Sequence, residues 1–396
     1  MNKPAAKPGL QPIQREVMWH CAVTFLVNGA IAISPGTLMP YLRQSYGFTY
    51  ALSGTLISLH AVGNLIASFL AGVLPFKLGR RRSAGLLALA GALCYGLLLV
   101  CGGSLPLLCL AFLCSGLARG SATNAGNTAV NNSFPGQVWA MNLQHAIYAI
   151  GAFSLPFVVM VFATRQADGW RVPAAVMCAL CLAQSVSFFT LNMPDEHPKK
   201  QTGGSNWGFL KLPRFQLACG ILVLYMCVEQ GVNGWLVTYF KDSGLMSDAF
   251  AQSLTSILWV FILAGRLTCA AVSTRMKKEN LLCLTAVGYA LFYGVLMFSR
   301  QLGPITVCIV GLGFCMAGIY PTATSMMGDI CGVYPLAMSI LLTITGIGAI
   351  VMPSVIGWVA ESFGITAGMY TMLAAVAVDL VLIFRNAAVM KAQKTP

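Results

Sequence analysis

Residues 150–156 read IGAFSLP and residues 347–353 read IGAIVMP. Both follow the pattern Ile-Gly-Ala-x-x-x-Pro. They stand 197 residues apart (347 − 150) in a chain of 396, close to half its length. The same pattern at equivalent points of two halves suggests a duplicated unit. Glycine in an apolar helix lets a neighbouring backbone approach closely. Proline bends such a helix where neighbours satisfy the freed carbonyl.

Composition says what kind of unit is repeated. Hydrophobic residues make up 57% of the chain and charged residues 9%, against about 25% charged in an ordinary soluble domain. So few charges cannot solvate the surface of a soluble protein this size. Apolar runs near the bilayer-crossing length of about 20 residues recur throughout. The segmentation predicts twelve membrane helices, at 17–40, 50–75, 84–102, 107–130, 138–163, 171–192, 215–240, 250–273, 280–299, 304–328, 335–360 and 366–389. Both IGAxxxP segments then fall in the fifth span of a six-span half. The expected fold is all-α, with twelve transmembrane helices in two pseudo-symmetric six-helix bundles.

The longest polar break, LNMPDEHPKKQTGGSNWGFLKLPR at 191–214, divides the halves. The expected organisation is a cytoplasmic tail over 1–16, bundles over 17–192 and 215–389, a cytoplasmic linker over 193–214 and a tail over 390–396. The run from Val17 is too long for a signal h-region and lacks an A-x-A cleavage site, so it is expected to remain as the first span. With the N-terminus in the cytoplasm, seventeen lysines and arginines fall on the cytoplasmic side and five on the outer side; Arg119 and Arg266 lie within spans. The positive-inside rule therefore predicts both termini in the cytoplasm of a multi-pass inner-membrane protein. The same bias accounts for the net charge of +13 without nucleic acid.

Fourteen cysteines are scattered singly through apolar runs, apart from a lone CxxC at Cys178 and Cys181. They read as small core hydrophobes, with no metal site. No nucleophile–base constellation, phosphate loop or cofactor motif is found, so neither an enzyme nor a bound cofactor is expected.

Ionisable and amide side chains in the membrane usually face a cavity or a partner. Glu229 lies in the seventh span with Gln230 beside it and Asn233 one turn on. It reads as an acceptor for solute hydroxyls and a candidate proton carrier, or as part of a structural ion pair. Asn124, Asn127 and Asn131 form one stripe of the fourth span, where amides suit vicinal hydroxyls or glue helices together. Arg119, on the same span, binds an anionic group, pairs with Glu229 or braces the bundle. His145 and Tyr148 are adjacent in the fifth span. Asn28, His60, Asn64, Trp235, Trp259 and Tyr320 complete the expected lining, although aromatics near span ends also serve as interfacial belts. Asp379 in the twelfth span has no evident role.

Between the second and third spans the chain reads GVLPFKLGRRR, Gly72 to Arg82. This resembles the signature loop of the major facilitator superfamily, G-x-L-a-D-r-x-G-r-r-r. Gly72, Leu74, Gly79, Arg80 and Arg81 match, and Pro75 replaces the acid. The resemblance implies a conformational gating role for Gly72, Gly79, Arg80 and Arg81. A degraded copy, GRLTCAAVSTRMKK, spans Gly265 to Lys278. Within that superfamily the chain is similar to the fucose permease branch of sugar:proton symporters. The likeness is carried by NLQHAIYAIGA (Asn142 to Ala152), EQGVNGW (Glu229 to Trp235) and the Tyr320–Pro321 pair of GIYPTATSMMG. It places His145 and Tyr148 where that branch puts sugar-contacting amides. It also aligns Gly36, and Thr123 or Asn124, with the two acids that couple protons there. Both carboxylates are missing. A coupled proton would use Glu229, His60 or His145, or the chain is an uncoupled facilitator.

The leading expectation is a monomeric transporter of a small polar solute, most simply a sugar or sugar derivative, working by alternating access in the lipid bilayer. Export of drugs or metabolites is disfavoured because GAFSLPFVVM lacks the Gly-Pro pair of G-x-x-x-G-P-x-x-G-G in superfamily antiporters. Organic-anion transport through Arg119 and the histidines is a further alternative. A sensor or scaffold is disfavoured by short tails.

Overall fold

The structure, a computed structural model, describes residues 12–134, 138–163, 168–190, 207–273, 275–334 and 336–392. Twelve helical segments among them are long and apolar enough to cross a membrane. They are α1 Pro12–Tyr46, α2 Tyr50–Val73, α3 Arg80–Val100, α4 Leu105–Ser133, α5 Val138–Ala163, α6 Arg171–Thr190, α7 Pro213–Asp242, α8 Asp248–Val272, α9 Lys278–Phe298, α10 from Leu302, α11 Ala337–Phe363 and α12 Ile365–Ala392. No strand occurs among the described residues. Hydrocarbon offers no hydrogen bonds, so each span satisfies its backbone internally. Large apolar side chains such as Leu86, Leu89 and Leu93 of α3 and Val378 and Val381 of α12 stay exposed on the outside.

The repeated motif has a matching geometry in each half. A Cβ on Gly151 would lie 1.8 Å from the Leu26 carbonyl oxygen of α1. A Cβ on Gly348 would lie 2.1 Å from the Val223 carbonyl oxygen of α7. Gly151 and Gly348 are 197 residues apart, and so are Leu26 and Val223. The fifth helix of each half thus seats its glycine on the same turn of that half's first helix. The two first helices also meet each other, since a Cβ on Gly36 would strike the Asn233 carbonyl oxygen. Gly47 and Gly244 keep the same spacing, both with positive φ (70° and 66°) in the turns before α2 and α8. Those helices are capped alike: Thr49 accepts from the Leu52 amide and Ser247 from the Phe250 amide.

Several boundaries differ from the sequence expectation. α1 begins at Pro12, inside the segment expected as tail, and α12 runs to Ala392. The loop after α2 contains a one-turn helix, Pro75–Leu78, before Gly79 (φ 81°) opens α3. Proline suits that first turn because the amide it lacks would be unbonded there. The tenth span was expected to be continuous over 304–328. It is broken into Leu302–Met316, Ile319–Ser325 and Gly328–Val333. Pro321 has no amide to return to the Ala317 carbonyl. Gly318 lies so close to α8 that a Cβ would be 2.6 Å from the Cys269 sulfur. Most of the expected linker and the ends of both tails lie outside the described residues.

An even number of crossings brings both ends of the chain to one face, called here the terminal face; the other is the far face. Across the halves, α1 meets α7, α2 meets α11 and α5 meets α8. The bonds in these seams gather toward the far face. Ser58 and Ser354 hydroxyls are 2.8 Å apart, the Gln252 amide donates to the Thr37 carbonyl (3.0 Å) and Ser256 donates to the Phe153 carbonyl (2.9 Å). At the rim, Arg43 pairs with Asp242 and stacks over the Tyr50 ring. Asp242 also accepts from the Tyr50 hydroxyl (2.9 Å). Glu361 accepts from the Tyr50 and Ala51 amides (2.7 and 3.3 Å), so a carboxylate of one half caps the positive end of a helix of the other. Toward the terminal face, Gln14 to Ser133, Arg214 to Asp329 and Lys278 to Ser325 are bonds within a single half.

Candidate functional site

α4 is the polar hub of the first six helices. The Asn28 amide of α1 donates to the Thr123 hydroxyl (2.9 Å), His60 of α2 bonds Ser115 (3.0 Å), and the Gln144 amide of α5 donates to Asn127 (2.7 Å). Asn124 turns back to the Gly120 carbonyl (2.8 Å). Apolar runs offer no other partners, so these side chains pair across helices. Asn28 and His60 are buried, each with one polar atom left unbonded: Asn28 Oδ1 and His60 Nε2. Asn64, Asn124 and Asn127 are half-buried. The side chain of Asn131 lies outside the described ones, and for Gly72 only the position at the end of α2 is described.

Two aromatic groups occupy the middle of the molecule. In the first, Phe25 of α1 meets His145 edge-on at 5.7 Å and Tyr148 at 6.4 Å, and Tyr148 meets Trp259 of α8 at 5.9 Å. This group spans both halves, and the Trp259 indole nitrogen has no bonded partner. In the second, Tyr225 of α7 lies 6.3 Å from Tyr320, which sits just beyond the break in α10. Glu229, one turn from Tyr225, lies within electrostatic reach of both tyrosines. The charge of Arg119 on α4 is felt at longer range by Tyr320 and His60. The charge of Arg266 on α8 is felt at longer range by Tyr225 and His145. Glu229, Arg119, Arg266, His145, Tyr148 and Tyr320 are all half-buried, on the terminal-face side of the seams.

The expected residues therefore separate into two sets. His145, Tyr148 and Trp259 form one group around Phe25, Tyr320 forms another with Tyr225 and with Glu229 one turn away, and Asn124 and Asn127 lie along α4. Gln230 and Asn233 are buried on α7. Trp235, expected in the lining, is fully buried in the far-face seam, where its indole donates to the Pro353 carbonyl (3.1 Å). Arg80 and Arg81 begin α3 at the terminal face, where Ser83 donates to the Gly79 carbonyl (2.7 Å). Asp379 is buried behind α7 and accepts from the Tyr289 hydroxyl of α9 (2.8 Å). The postulated Arg119–Glu229 ion pair does not form. Phe25, Tyr225 and Arg266 were not singled out as lining. Arg266 alone carried a sequence signal, as a cation inside a span.

The geometry is that of two six-helix units, and comparison with known proteins agrees with this fold. The family model described as Major Facilitator Superfamily matches residues 21–312 and 247–395. The chain belongs to the Major Facilitator Superfamily. It is 21% identical over 373 residues to the glucose/mannose transporter GlcP of Bacillus subtilis, covering 90% of this chain and 91% of that one. It is 24% identical over 345 residues to a gallate transporter of Pseudomonas putida, covering 75% and 74%. The crystal structure of the nucleoside transporter NupG superposes with a TM-score of 0.74 over 96% of this chain and 100% of that one, at 17% identity, a likeness of fold. The chain is thus a multi-pass membrane transporter and not an enzyme.

Proposed function

We propose that this superfamily member carries a small hydroxyl-rich solute, a sugar or sugar derivative, between its two six-helix halves (17–192 and 215–389) by alternating access. The observation that carries the reading is a pair of polar aromatic groups within the spans, Tyr225 and Tyr320 with Glu229 one turn away, and His145, Tyr148 and Trp259 around Phe25. A carboxylate and phenols exchange hydrogen bonds with hydroxyls, and an indole face packs on the apolar side of a sugar ring. Similar proteins described as glucose/mannose and gallate transporters both take small hydroxylated molecules.

With both termini cytoplasmic in an inner membrane, as the lysine and arginine bias suggests, the bonded far face is the outer one. The terminal face, where the bonds named above stay within one half, is then the inner one. Solute bound between the halves would be released or taken up on the cytoplasmic side, and rocking of one half against the other would expose it outward. The reading treats the chain as a monomer. Glu229, His60 and His145 are the candidate carriers of any coupled proton; Glu229 and His145 are half-buried, whereas His60 is buried against Ser115.

The test is counterflow of radiolabelled glucose, xylose and gluconate in liposomes containing the purified protein. Saturable uptake accelerated by the same solute on the far side is expected for at least one of them. Uptake no faster than in protein-free liposomes for all three contradicts the reading.

A further inference from the structure

We propose that Asp379 of α12 is a reversible proton-binding site, with its proton in place in this conformation. The site stands apart from the residues proposed above to meet solute, and it does not depend on which solute is carried.

Asp379 is completely buried, at 0% exposure. Its Oδ2 accepts from the Tyr289 hydroxyl of α9 (2.8 Å), and its Oδ1 has no hydrogen-bond partner among the described residues. No ion pair reaches it there either. α12 packs against α7, α9 and α11. The titratable groups that face Asp379 from them are Tyr289 itself and the Cys227 thiol of α7. α11 carries no titratable side chain but Glu361, which is bonded at the far-face rim. On α12 itself, Arg385 is exposed. No positive charge therefore stands beside the carboxylate.

A carboxylate has about four acceptor positions, and a single phenol fills one of them. A buried ion so short of donors and of counter-charge takes up a proton instead. In the neutral acid, Oδ2 is the carbonyl oxygen that Tyr289 already serves, and Oδ1 carries the hydrogen. The Asn386 side chain is also buried, with its Oδ1 unbonded. It lies seven residues on, close to two turns along the same face of α12, toward the terminal face. Asn386 marks the route by which a proton from water at the terminal face reaches Asp379 and returns.

The placement gives the proton a mechanical consequence. α12 lies against a stripe of α7 formed by Gly220, Cys227 and Gly231. A Cβ on Gly220 would be 2.8 Å from a Leu382 methyl, and one on Gly231 would strike the Met372 sulfur. Asp379 shares the Met372 face of α12, one heptad on. Tyr225 and Glu229 occupy the opposite face of α7. Losing the proton would put a bare charge into this close seam and draw water or donors between the helices. The helix that bears Tyr225 and Glu229 would thus sense the protonation of Asp379 from behind.

The experiment is infrared difference spectroscopy of the full chain in a maltoside detergent, which has no carbonyl of its own, cycled between pH 6 and pH 10. A protonated carboxyl has a carbonyl stretch that a carboxylate lacks. The wild type is expected to show such a band at pH 6, lose it at pH 10 and regain it on return. Asp379→Asn should lack that band, and Glu229→Gln should keep it. Should Asp379→Asn fail to fold, Tyr289→Phe decides: removing the donor to Oδ2 moves the band to higher wavenumber if it belongs to Asp379, and an unmoved band overturns the assignment. A wild-type band that survives in Asp379→Asn, or no such band at pH 6, overturns the proposal. A band that persists at pH 10 shows a fixed proton and overturns it as well. No solute is present, so a failure of counterflow would remove the solute reading and leave the proton site standing.

Discussion

At the residue scale, Glu229 is the pivot. Removing its charge with Glu229→Gln keeps the shape and weakens its hydrogen bonds to the solute. Bonds to charged groups contribute about 1.5–3 kcal/mol, so counterflow should fall roughly tenfold or more, with yield and melting point unchanged. Asp379 differs in kind. Asp379→Ala would leave the buried Tyr289 hydroxyl without its partner, a loss of about 1–3 kcal/mol that should appear as a lower melting point. Glu229 and the α4 asparagines were legible in the sequence because polar side chains are rare in apolar helices. Phe25 and Tyr225 were not, because an aromatic residue in a membrane helix reads as core until its neighbours are known. Trp235 misled for a related reason: its place in EQGVNGW fits a lining, but only the fold shows that its indole meets the Pro353 carbonyl.

At the scale of elements, the helix count and the pairing of IGAFSLP with IGAIVMP were readable, because membrane length and small-residue packing both leave composition signals. The breaks in α10 were not. Pro321 marked a weak point, but the approach of Gly318 to Cys269 is a tertiary fact. The paired glycines make a sharp prediction. Gly151→Ala and Gly348→Ala each place a methyl inside a carbonyl oxygen of the neighbouring helix. Overpacking of this kind costs about 1–3 kcal/mol or more, so both should lower the melting point. Gly346→Ala is the control, since its nearest neighbour, a Leu65 methyl, would lie at an ordinary 3.6 Å. Equal melting of all three variants would contradict the close packing of α1 on α5 and of α7 on α11.

At the scale of the whole molecule, the far face is held by contacts that are individually weak. Partly exposed ion pairs contribute up to about 1 kcal/mol each, and Arg43–Asp242 and the Glu361 cap are of this sort. A gate closed by a few such contacts can be reversed by a modest ligand. Two copies of one six-helix plan were anticipated by the repeat, but which face is closed was invisible in the sequence, since Arg43, Asp242 and Glu361 look like ordinary loop charges. The central claim is that opening the far face closes the terminal face. It is tested by pulsed-EPR distances between Lys77 and Lys277, one on each half at the terminal face. The labels would be carried on encoded non-cysteine residues, because the chain has fourteen native cysteines. The comparison is between the wild type and the double variant Asp242→Asn, Glu361→Gln. Alternating access predicts that unlocking the far face shifts the Lys77–Lys277 distribution to shorter distances. An unchanged distribution, with the far face newly open to a membrane-impermeant reagent, would contradict it.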